Sequence, residues 1–281
     1  LSGAKCVKYI SCRDYVRLIK SSKLYSFALR HGCNVLFNAL EMQKKCEEMF
    51  PGNEDKLFTA YNIIDCEKAR EDAKEELDEE YKEFYDTHRV IAFSSRFVDQ
   101  KCQWDMLKSF ELLKKDIPDA GLIFLGCRGE YENSVREMAK KSEYSGDIVF
   151  AGFQKNVFKF VSRADVFAMT SYYEGFPNVI VEALAVGTPA VSTDCTSGPA
   201  EVLAPGRPFL PHCGILCPVM SESPDFDYDN INDAHREYAK ALEAILTDKG
   251  LRARLSENGK KRADELSAEN MKQVYFDLTD N

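Results

Sequence analysis

The clearest chemical pattern in this chain lies in the segment 170–194, TSYYEGFPNVIVEALAVGTPAVSTD. Pro177 suits the first turn of a helix, and Gly187 suits the left-handed position just past its last turn. The first amides of such a helix lack intrahelical partners, and with the helix dipole they favour a pyrophosphate group or sugar hydroxyls. These amides belong to Gly175, Phe176 and Asn178.

Two carboxylates flank the start of this predicted helix. Glu174 lies in the loop before it, and Glu182 lies eight residues further on, inside it. Carboxylates at this separation can contact different parts of one extended ligand. The alternative to a ligand site, from the residues alone, is an ordinary strand, glycine loop and helix with two surface glutamates.

Metal chemistry is weakly indicated. The ten cysteines include no CxxC pair, and the four histidines are scattered, with none at the i, i+4 spacing that lets two imidazoles share a metal. The segment 225–233, DFDYDNIND, resembles an EF-hand loop, but Asn230 and Arg236 stand where that loop needs Gly and Glu. We therefore expect reduced thiols, an acidic surface loop, and neither a metal nor another cofactor.

The segment around Glu174 and Glu182 resembles the Glu-x7-Glu signature of the retaining glycosyltransferases of family 4, which have the two-domain GT-B fold and include capsule and lipopolysaccharide sugar transferases. In that family the first Glu contacts the transferred sugar, and the second binds the ribose hydroxyls of the nucleotide. The resemblance therefore implies these roles for Glu174 and Glu182.

A second stretch with the same resemblance is FSSRFVDQKCQWDMLKSFELL, at 93–113. It implies that Arg96 and Lys101 clamp the diphosphate of a nucleotide-sugar donor. Cations fixed there stabilise the departing nucleoside diphosphate more in the transition state than in the ground state. The chain departs from the family pattern at Ser95 and Cys102, where Gly is usual.

Further matches extend the resemblance over about residues 89–265. They imply that backbone near Gly152 and Phe153 holds the base, and that the loop before Glu201 closes on the sugar or the phosphates. The segments 10–15 and 57–62 resemble, more weakly, the end of the acceptor domain in capsule hexosamine transferases.

From Arg89 onward, short apolar runs alternate with amphipathic segments, the pattern of a doubly wound α/β domain with its ligand site at the carboxyl ends of parallel strands. Strands are predicted at 89–95, 121–126, 147–153, 165–171, 188–194 and 213–218. Helices are predicted at about 102–115, 131–142, 156–163, 178–186 and 199–204.

The first 66 residues predict strands at 6–11, 34–38 and 57–62, with helices at about 15–30 and 39–49. We expect a partial acceptor-side α/β domain at 1–66 whose first strands are missing. A charged, exposed linker helix at 67–87 then leads to a donor domain at 88–265 and a C-terminal helix or tail at 266–281.

Charge is divided unevenly along the chain. Residues 1–45 carry nine Lys and Arg against Asp14 and Glu41, a net charge of +7, whereas residues 46–88 carry a net charge of −10. The basic segment is either a solvated helix face or a contact for anionic lipid or a phosphorylated acceptor. We expect a cytoplasmic protein without a nucleic-acid partner. If the basic segment contacts lipid, the protein lies peripherally at the inner face of the membrane.

The resemblance implies an enzyme that moves a hexose or N-acetylhexosamine from a UDP-sugar, with retention, to a glycan or lipid-linked acceptor in surface polysaccharide synthesis. One alternative is a module that binds nucleotide sugar without turnover because its acceptor domain is incomplete. A sugar-nucleotide epimerase fits the combined motifs less well. An exposed sheet edge within residues 1–66 also predicts self-association.

Overall fold

The computed structural model describes residues 8–206 and 212–280, with side chains through residue 276. It contains two parallel sheets. The smaller has the order β1-β2-β3 and the larger has the order β6-β5-β4-β7-β8-β9. The strands are β1 (Tyr9–Cys12), β2 (Asn34–Phe37), β3 (Leu57–Thr59), β4 (Arg89–Ser94), β5 (Ala120–Leu125), β6 (Ile148–Gly152), β7 (Val166–Met169), β8 (Ala190–Thr193) and β9 (Gly214–Cys217).

Helices cover both faces of the larger sheet and join the two sheets. They are α1 (Tyr15–Lys20), α2 (Ser22–Arg30), α3 (Leu40–Met49), α4 (Cys66–Asp72), α5 (Glu79–Thr87), α6 (Gln103–Lys114), α7 (Glu132–Lys141), α8 (Phe158–Val161), α9 (Asn178–Ala185), α10 (Pro199–Leu203), α11 (Asp233–Thr247), α12 (Lys249–Glu265) and α13 (Ala268–Asp280). Among the described helices, none is long and apolar enough to cross a membrane.

The inner strands of the larger sheet are buried because each face packs against helices, and the edge strands β6 and β9 are partly buried. One core lies around Trp104 and Phe110 of α6 and includes Tyr238 of α11, and the other lies around α9 and α12. A third, smaller core fills the space between the first sheet and α1 to α3. This arrangement confirms the predicted α/β architecture, and every predicted strand is present within one to three residues at each end. For the first strand, Cys6 and Val7 lie outside the described residues.

Two predicted helices differ from the structure. The helix expected at 15–30 is interrupted at Ser21, whose amide closes α1 by bonding the carbonyl of Arg17. The segment 67–87, expected to be one exposed linker helix, forms α4 and α5. The prediction of one continuous helix is wrong, whereas most of the segment is exposed as expected and its few apolar side chains pack toward the larger sheet. Those side chains are Ala69, Leu77, Tyr81, Phe84 and Tyr85.

The chain ends by returning to the first sheet. α12 ends at Glu265, and α13 then crosses back, where the Tyr275 hydroxyl donates to the Tyr61 carbonyl at 2.9 Å. A bridge between Ile64 and Ser267 reinforces this return. The two sheets are therefore connected twice by the chain, once through the α4–α5 segment and once through α13.

Candidate functional site

The strand order of the larger sheet marks one place for a ligand. β4 lies between β5 and β7, so the chain leaves β4 and β7 toward opposite sides of the sheet. At such a switch point the loops after the two strands diverge and open a crevice at the carboxyl ends of the strands. The loop after β4 carries Arg96 and Lys101, and the loop after β7 carries Glu174 through Pro177. The residues predicted from two separate motifs thus meet at one crevice.

Lys101 and Glu174 form an ion pair in this crevice. The Lys101 Nζ lies 2.5 Å from the Glu174 Oε1, and the two side chains are only 16% and 8% exposed. Gln100 supports the carboxylate, because its Nε2 donates to the Glu174 Oε2 at 3.2 Å and to the Tyr173 carbonyl at 2.8 Å. The cation predicted for the diphosphate and the carboxylate predicted for the sugar are therefore bound to each other.

Arg96 differs from Lys101 in its surroundings. Its side chain is exposed and makes no hydrogen bond or ion pair with any residue that the structure describes, whereas its carbonyl accepts from the Gln103 Nε2 at 2.7 Å. The guanidinium is therefore available to an anion entering the crevice. Cys102, where the family usually has Gly, adopts the left-handed conformation with φ 46° that Gly favours. The loop after Lys101 thus keeps the shape expected of a glycine in spite of the substitution.

The helix α9 begins where the sequence predicts, and the loop before it has two backbone amides without a partner in the described part of the chain. Pro177 precedes its first residue, and Gly187, with φ 90°, follows its end. The amides of Gly175 and Phe176 have no hydrogen-bond partner among the described residues. The amide of Asn178 was expected to be free, and this is wrong, because it bonds the Phe176 carbonyl at 3.0 Å. The start of this helix therefore offers an anion two free amides among the described residues, where three were expected.

Side chains of this loop hold the two sheets together. Phe176 is buried and stacks on Tyr61 at 5.1 Å between ring centroids, and Asn178 accepts a hydrogen bond from the Asn62 Nδ2 at 2.8 Å. A Cβ atom on Gly175 would lie 2.2 Å from the carbonyl oxygen of Arg13, so only glycine fits there. The first sheet thus fixes the position of the loop that carries Glu174.

Glu182 lies within α9 with its carboxylate unpaired. Its side chain makes no hydrogen bond or ion pair with a described residue, and burial raises the pKa of the carboxyl above its usual range. A carboxylate that is partly desolvated and without donors favours a ligand that supplies hydroxyl hydrogens. This is the environment that the proposed ribose contact requires.

Gly152 and Phe153 lie at the end of β6, an edge strand of the larger sheet. Gly152 has φ 69°, and its carbonyl accepts from the Gly126 amide at 2.7 Å. The Phe153 side chain is 76% exposed. The ring of Phe153 therefore lies at the surface beside this strand end, and the assignment of the base to the backbone near Gly152 and Phe153 stays a prediction.

The carboxylate of Glu201 contacts the start of α3, and closure of the loop before it on a ligand stays a prediction. The two carboxylate oxygens of Glu201 accept from the amides of Leu40 and Glu41, at 2.8 and 2.9 Å, at the start of α3. In return the Glu41 carboxylate accepts from the Ser197 amide at 2.9 Å. A carboxylate that already caps a helix, and would repel a phosphate, is a poor diphosphate ligand. Glu201 therefore joins the two sheets instead of lining the crevice through its carboxylate.

Several polar groups near the crevice carry no motif in the sequence. Buried oxygen atoms without a partner among the described residues belong to Asn38, Gln103 and Ser171. Asn38 follows β2 and Ser171 lies just past β7, while Gln103 follows Lys101. Position after a strand is the signal that could have identified the first two. Such orphaned acceptors are uncommon in protein interiors and are expected where a ligand or water completes the site.

Comparison with known proteins assigns the family. The geometry defines a GT-B fold, in which a doubly wound domain faces a second α/β domain across a crevice, and solved structures agree. HepE of Anabaena in complex with UDP and glucose matches with a TM-score of 0.76 at 17% identity, over 97% of this chain and 71% of that chain. TarM matches with a TM-score of 0.74 at 16% identity, over 100% of this chain and 51% of that chain. The chain belongs to the glycosyl transferases group 1 family, which matches residues 74–226.

Curated relatives agree with this assignment. An uncharacterized glycosyltransferase of Methanocaldococcus jannaschii is 29% identical over 87% of this chain and 63% of its own length. The lipopolysaccharide core biosynthesis glycosyltransferase LpsE of Rhizobium meliloti is 31% identical over 67% of this chain and 49% of its own length. The chain thus spans about half to two thirds of the length of these relatives.

Proposed function

We propose that the chain is the donor-binding part of a retaining glycosyltransferase of family 4 that transfers a hexose or N-acetylhexosamine from a UDP-sugar. The acceptor is a glycan or a lipid-linked sugar in surface polysaccharide synthesis. The observation that carries the proposal is the convergence of Arg96, Lys101, Glu174 and the start of α9 on one crevice at the sheet switch point. Glu182 lies further along the same helix with its carboxylate unpaired.

Donor recognition follows from the charges of this crevice. The diphosphate binds between the guanidinium of Arg96, the ammonium of Lys101 and the free amides of Gly175 and Phe176. Glu182 accepts hydrogen bonds from the ribose hydroxyls, and Glu174 accepts them from the transferred sugar. The cations at the phosphates supply the positive charge that the departing nucleoside diphosphate needs, so the proposal requires no metal ion or other cofactor.

The reaction route is the part of the proposal that rests on family resemblance. The bond from the anomeric carbon to the phosphate oxygen breaks, and the acceptor oxygen bonds to the same face of that carbon. The departing phosphate takes the acceptor proton, which accounts for retention without a carboxylate nucleophile on the opposite face. Arg96 and Lys101 stabilise the negative charge as it moves to the phosphate.

Names of relatives support the substrate class. One Campylobacter jejuni relative, 25% identical, is named as an N-acetylgalactosaminyltransferase acting on a diphospho-undecaprenol-linked sugar. A structural neighbour from pneumococcus is described as an O-GlcNAc transferase in complex with UDP and GlcNAc. The second name fits a UDP-sugar donor, and the first fits a lipid-linked acceptor.

Calorimetry with UDP tests the donor site. Arg96→Ala and Lys101→Ala should each weaken UDP binding by about 1.5–3 kcal/mol, the range for a hydrogen bond to a charged group. Arg254→Ala and Lys249→Ala, which remove exposed cations of α12 on the same domain, are the matched controls and should leave the affinity unchanged. Equal UDP affinity in all four variants would refute the assignment of the diphosphate site.

Transfer is tested separately from binding. The chain is incubated with labelled UDP-sugars and sugar or lipid-linked acceptors, and acceptor-dependent product is measured. Product that disappears in Arg96→Ala supports the transferase proposal. UDP binding with no transfer to any acceptor supports the alternative of a nucleotide-sugar-binding module.

A further inference from the structure

The first turn of α3 meets the loop that follows β8. Ala39 precedes this helix and has no side-chain group that could accept from the free amides, and Glu201 of α10 supplies that acceptor instead. In the opposite direction, the Glu41 Oε2 accepts from the Ser197 amide at 2.9 Å. The Glu41 carboxylate therefore reaches from the first sheet to a loop at the carboxyl edge of the larger sheet.

Ser197 has an unusual backbone conformation. Its φ of 68° lies in the left-handed region that residues other than Gly seldom adopt. Such a strained conformation persists only where the surrounding contacts fix it. Ser197 is fully buried, and its Oγ donates to the Gly175 carbonyl at 3.0 Å. The hydrogen bond from the Ser197 amide to Glu41 is a second contact that holds this conformation.

The loop of Ser197 lies directly on the loop that carries Glu174. The Glu174 amide donates to the Thr196 carbonyl at 3.1 Å. A Cβ atom on Gly198 would lie 2.7 Å from the Gly175 carbonyl oxygen, so the two backbones are in direct contact there. A displacement of Ser197 would therefore be transmitted to the backbone of Glu174.

We propose that Glu41 is a positioning residue for Glu174. Glu41 fixes Ser197, and the loop of Ser197 in turn binds the Gly175 carbonyl and the Glu174 amide. The first sheet thereby determines the place of the carboxylate that contacts the transferred sugar. This role rests on the proposed function, because Glu174 is assigned to the sugar there.

The charges around Glu41 indicate which substitution preserves the contact. Burial raises the pKa of the Glu41 carboxyl, and the nearby carboxylates of Glu201 and Asp194 raise it further, whereas the Ser197 amide and Lys44 lower it. A neutral amide in the same place can accept the same hydrogen bond without repelling the two carboxylates. Glu41→Gln should therefore keep the bond to Ser197, and Glu41→Ala removes it.

Amide hydrogen exchange, measured by NMR on the whole chain without ligand, tests the coupling. In Glu41→Ala the Glu174 amide, which is not itself bonded to Glu41, should exchange about tenfold faster or more, because the loss of a hydrogen bond to a charged group releases the loop of Ser197. Glu41→Gln should exchange like the wild type. Glu48→Ala is the matched control, since it removes another carboxylate of α3 that pairs with Lys45.

Donor binding provides a second measurement. UDP, UDP-glucose and UDP-N-acetylglucosamine are titrated by calorimetry, and the UDP-sugar that the wild type binds more tightly is used for comparison. Glu41→Ala should lower its affinity about fivefold or more and leave UDP affinity within about twofold, and Glu41→Gln should restore the wild-type value. A merely structural role would not change the ratio of the two affinities.

Glu41→Asp provides a second variant in case Glu41→Ala fails to fold. Its side chain is one methylene shorter, so it keeps the charge but withdraws the carboxylate from Ser197, and it should behave like Glu41→Ala in both measurements. Agreement between these two variants, together with wild-type behaviour of Glu41→Gln, supports the positioning role.

Two results would overturn this role. The first is faster exchange at the Ser197 amide with unchanged exchange at the Glu174 amide, because the contact of Glu41 would then be only local. The second is equal weakening of UDP and of the UDP-sugar in Glu41→Ala. A wild type that binds none of the three ligands would contradict the proposed function, and the exchange measurement would still decide whether Glu41 fixes the loop of Glu174.

Discussion

Replacement of Glu174 by Gln should strengthen UDP binding while impairing sugar transfer. In the free protein the Lys101 ammonium already bonds the Glu174 carboxylate at 2.5 Å, so a diphosphate must compete for it. In Glu174→Gln the carboxylate is replaced by an amide of nearly the same shape, so UDP no longer competes with a carboxylate of the described residues for that ammonium. The Lys101–Glu174 ion pair therefore weakens donor binding in the wild-type protein.

The expected gain in UDP affinity follows from the change of the Lys101 partner from a carboxylate to an amide. A hydrogen bond to a charged group contributes about 1.5–3 kcal/mol, whereas a neutral one contributes about 0.5–1.5 kcal/mol. The competing interaction therefore weakens by about 1 kcal/mol, which corresponds to about fivefold tighter UDP binding. Both side chains are largely buried, so solvent screens this difference little.

Isothermal titration calorimetry with UDP is the assay, and Glu222→Gln is the matched control. Glu222 is exposed near Tyr172 and forms no ion pair with Lys101, whose ammonium pairs with Glu174, so its replacement removes one negative charge without freeing that ammonium. If the two variants change UDP affinity equally, the effect is only one of net charge. UDP affinity in Glu174→Gln that equals or falls below the wild-type value would refute competition for Lys101.

Three further predictions concern Glu182, Glu201 and Asp105. Burial raises the pKa of Glu182, and its ionised form accepts ribose hydroxyls with both oxygens and more strongly than the protonated form. UDP-glucose affinity should therefore fall as pH falls through that raised pKa, and Glu182→Gln should flatten the dependence in calorimetry. Glu201→Ala should cost about 1–2 kcal/mol of unfolding free energy in urea, because it removes the carboxylate that accepts from the first amides of α3. Ala253→Ser, at an exposed position of α12, is the control and should cost far less. Asp105→Ala should cost about 3 kcal/mol of unfolding free energy by the same measurement. The change leaves the buried His235 ring and the Ser221 hydroxyl without the carboxylate that they bond at 3.0 and 2.6 Å. A loss below about 1 kcal/mol would contradict this prediction.

Local patterns in the sequence predicted the larger sheet well. Apolar runs of four to six residues and the punctuation by Pro177 and Gly187 reflect interactions between near neighbours, and the structure places those elements where they were expected. The convergence of Arg96, Lys101 and Glu174 followed from the rule that loops at the carboxyl ends of parallel strands share one edge.

What could not be predicted depends on contacts between distant residues. The partner of Glu201 is the start of α3, about 160 residues earlier in the chain, and no local pattern specifies it. The charged α4–α5 segment looked solvated because its polar residues outnumber the apolar ones that face the sheet. The Lys101–Glu174 pair joins two loops 73 positions apart in the chain, and no local pattern specifies such a contact.

The contacts between Glu201, Leu40 and Glu41 also bear on biosynthesis. Leu40 and Glu201 are separated by 161 positions, so α3 leaves the ribosome long before the carboxylate that caps it exists. At a typical synthesis rate of about 5–20 residues per second, the start of α3 waits about 8–32 s with those amides facing water. During this interval the surface of α3 that later meets α10 is uncovered. The crevice can form only after that wait, when the second half of the chain arrives.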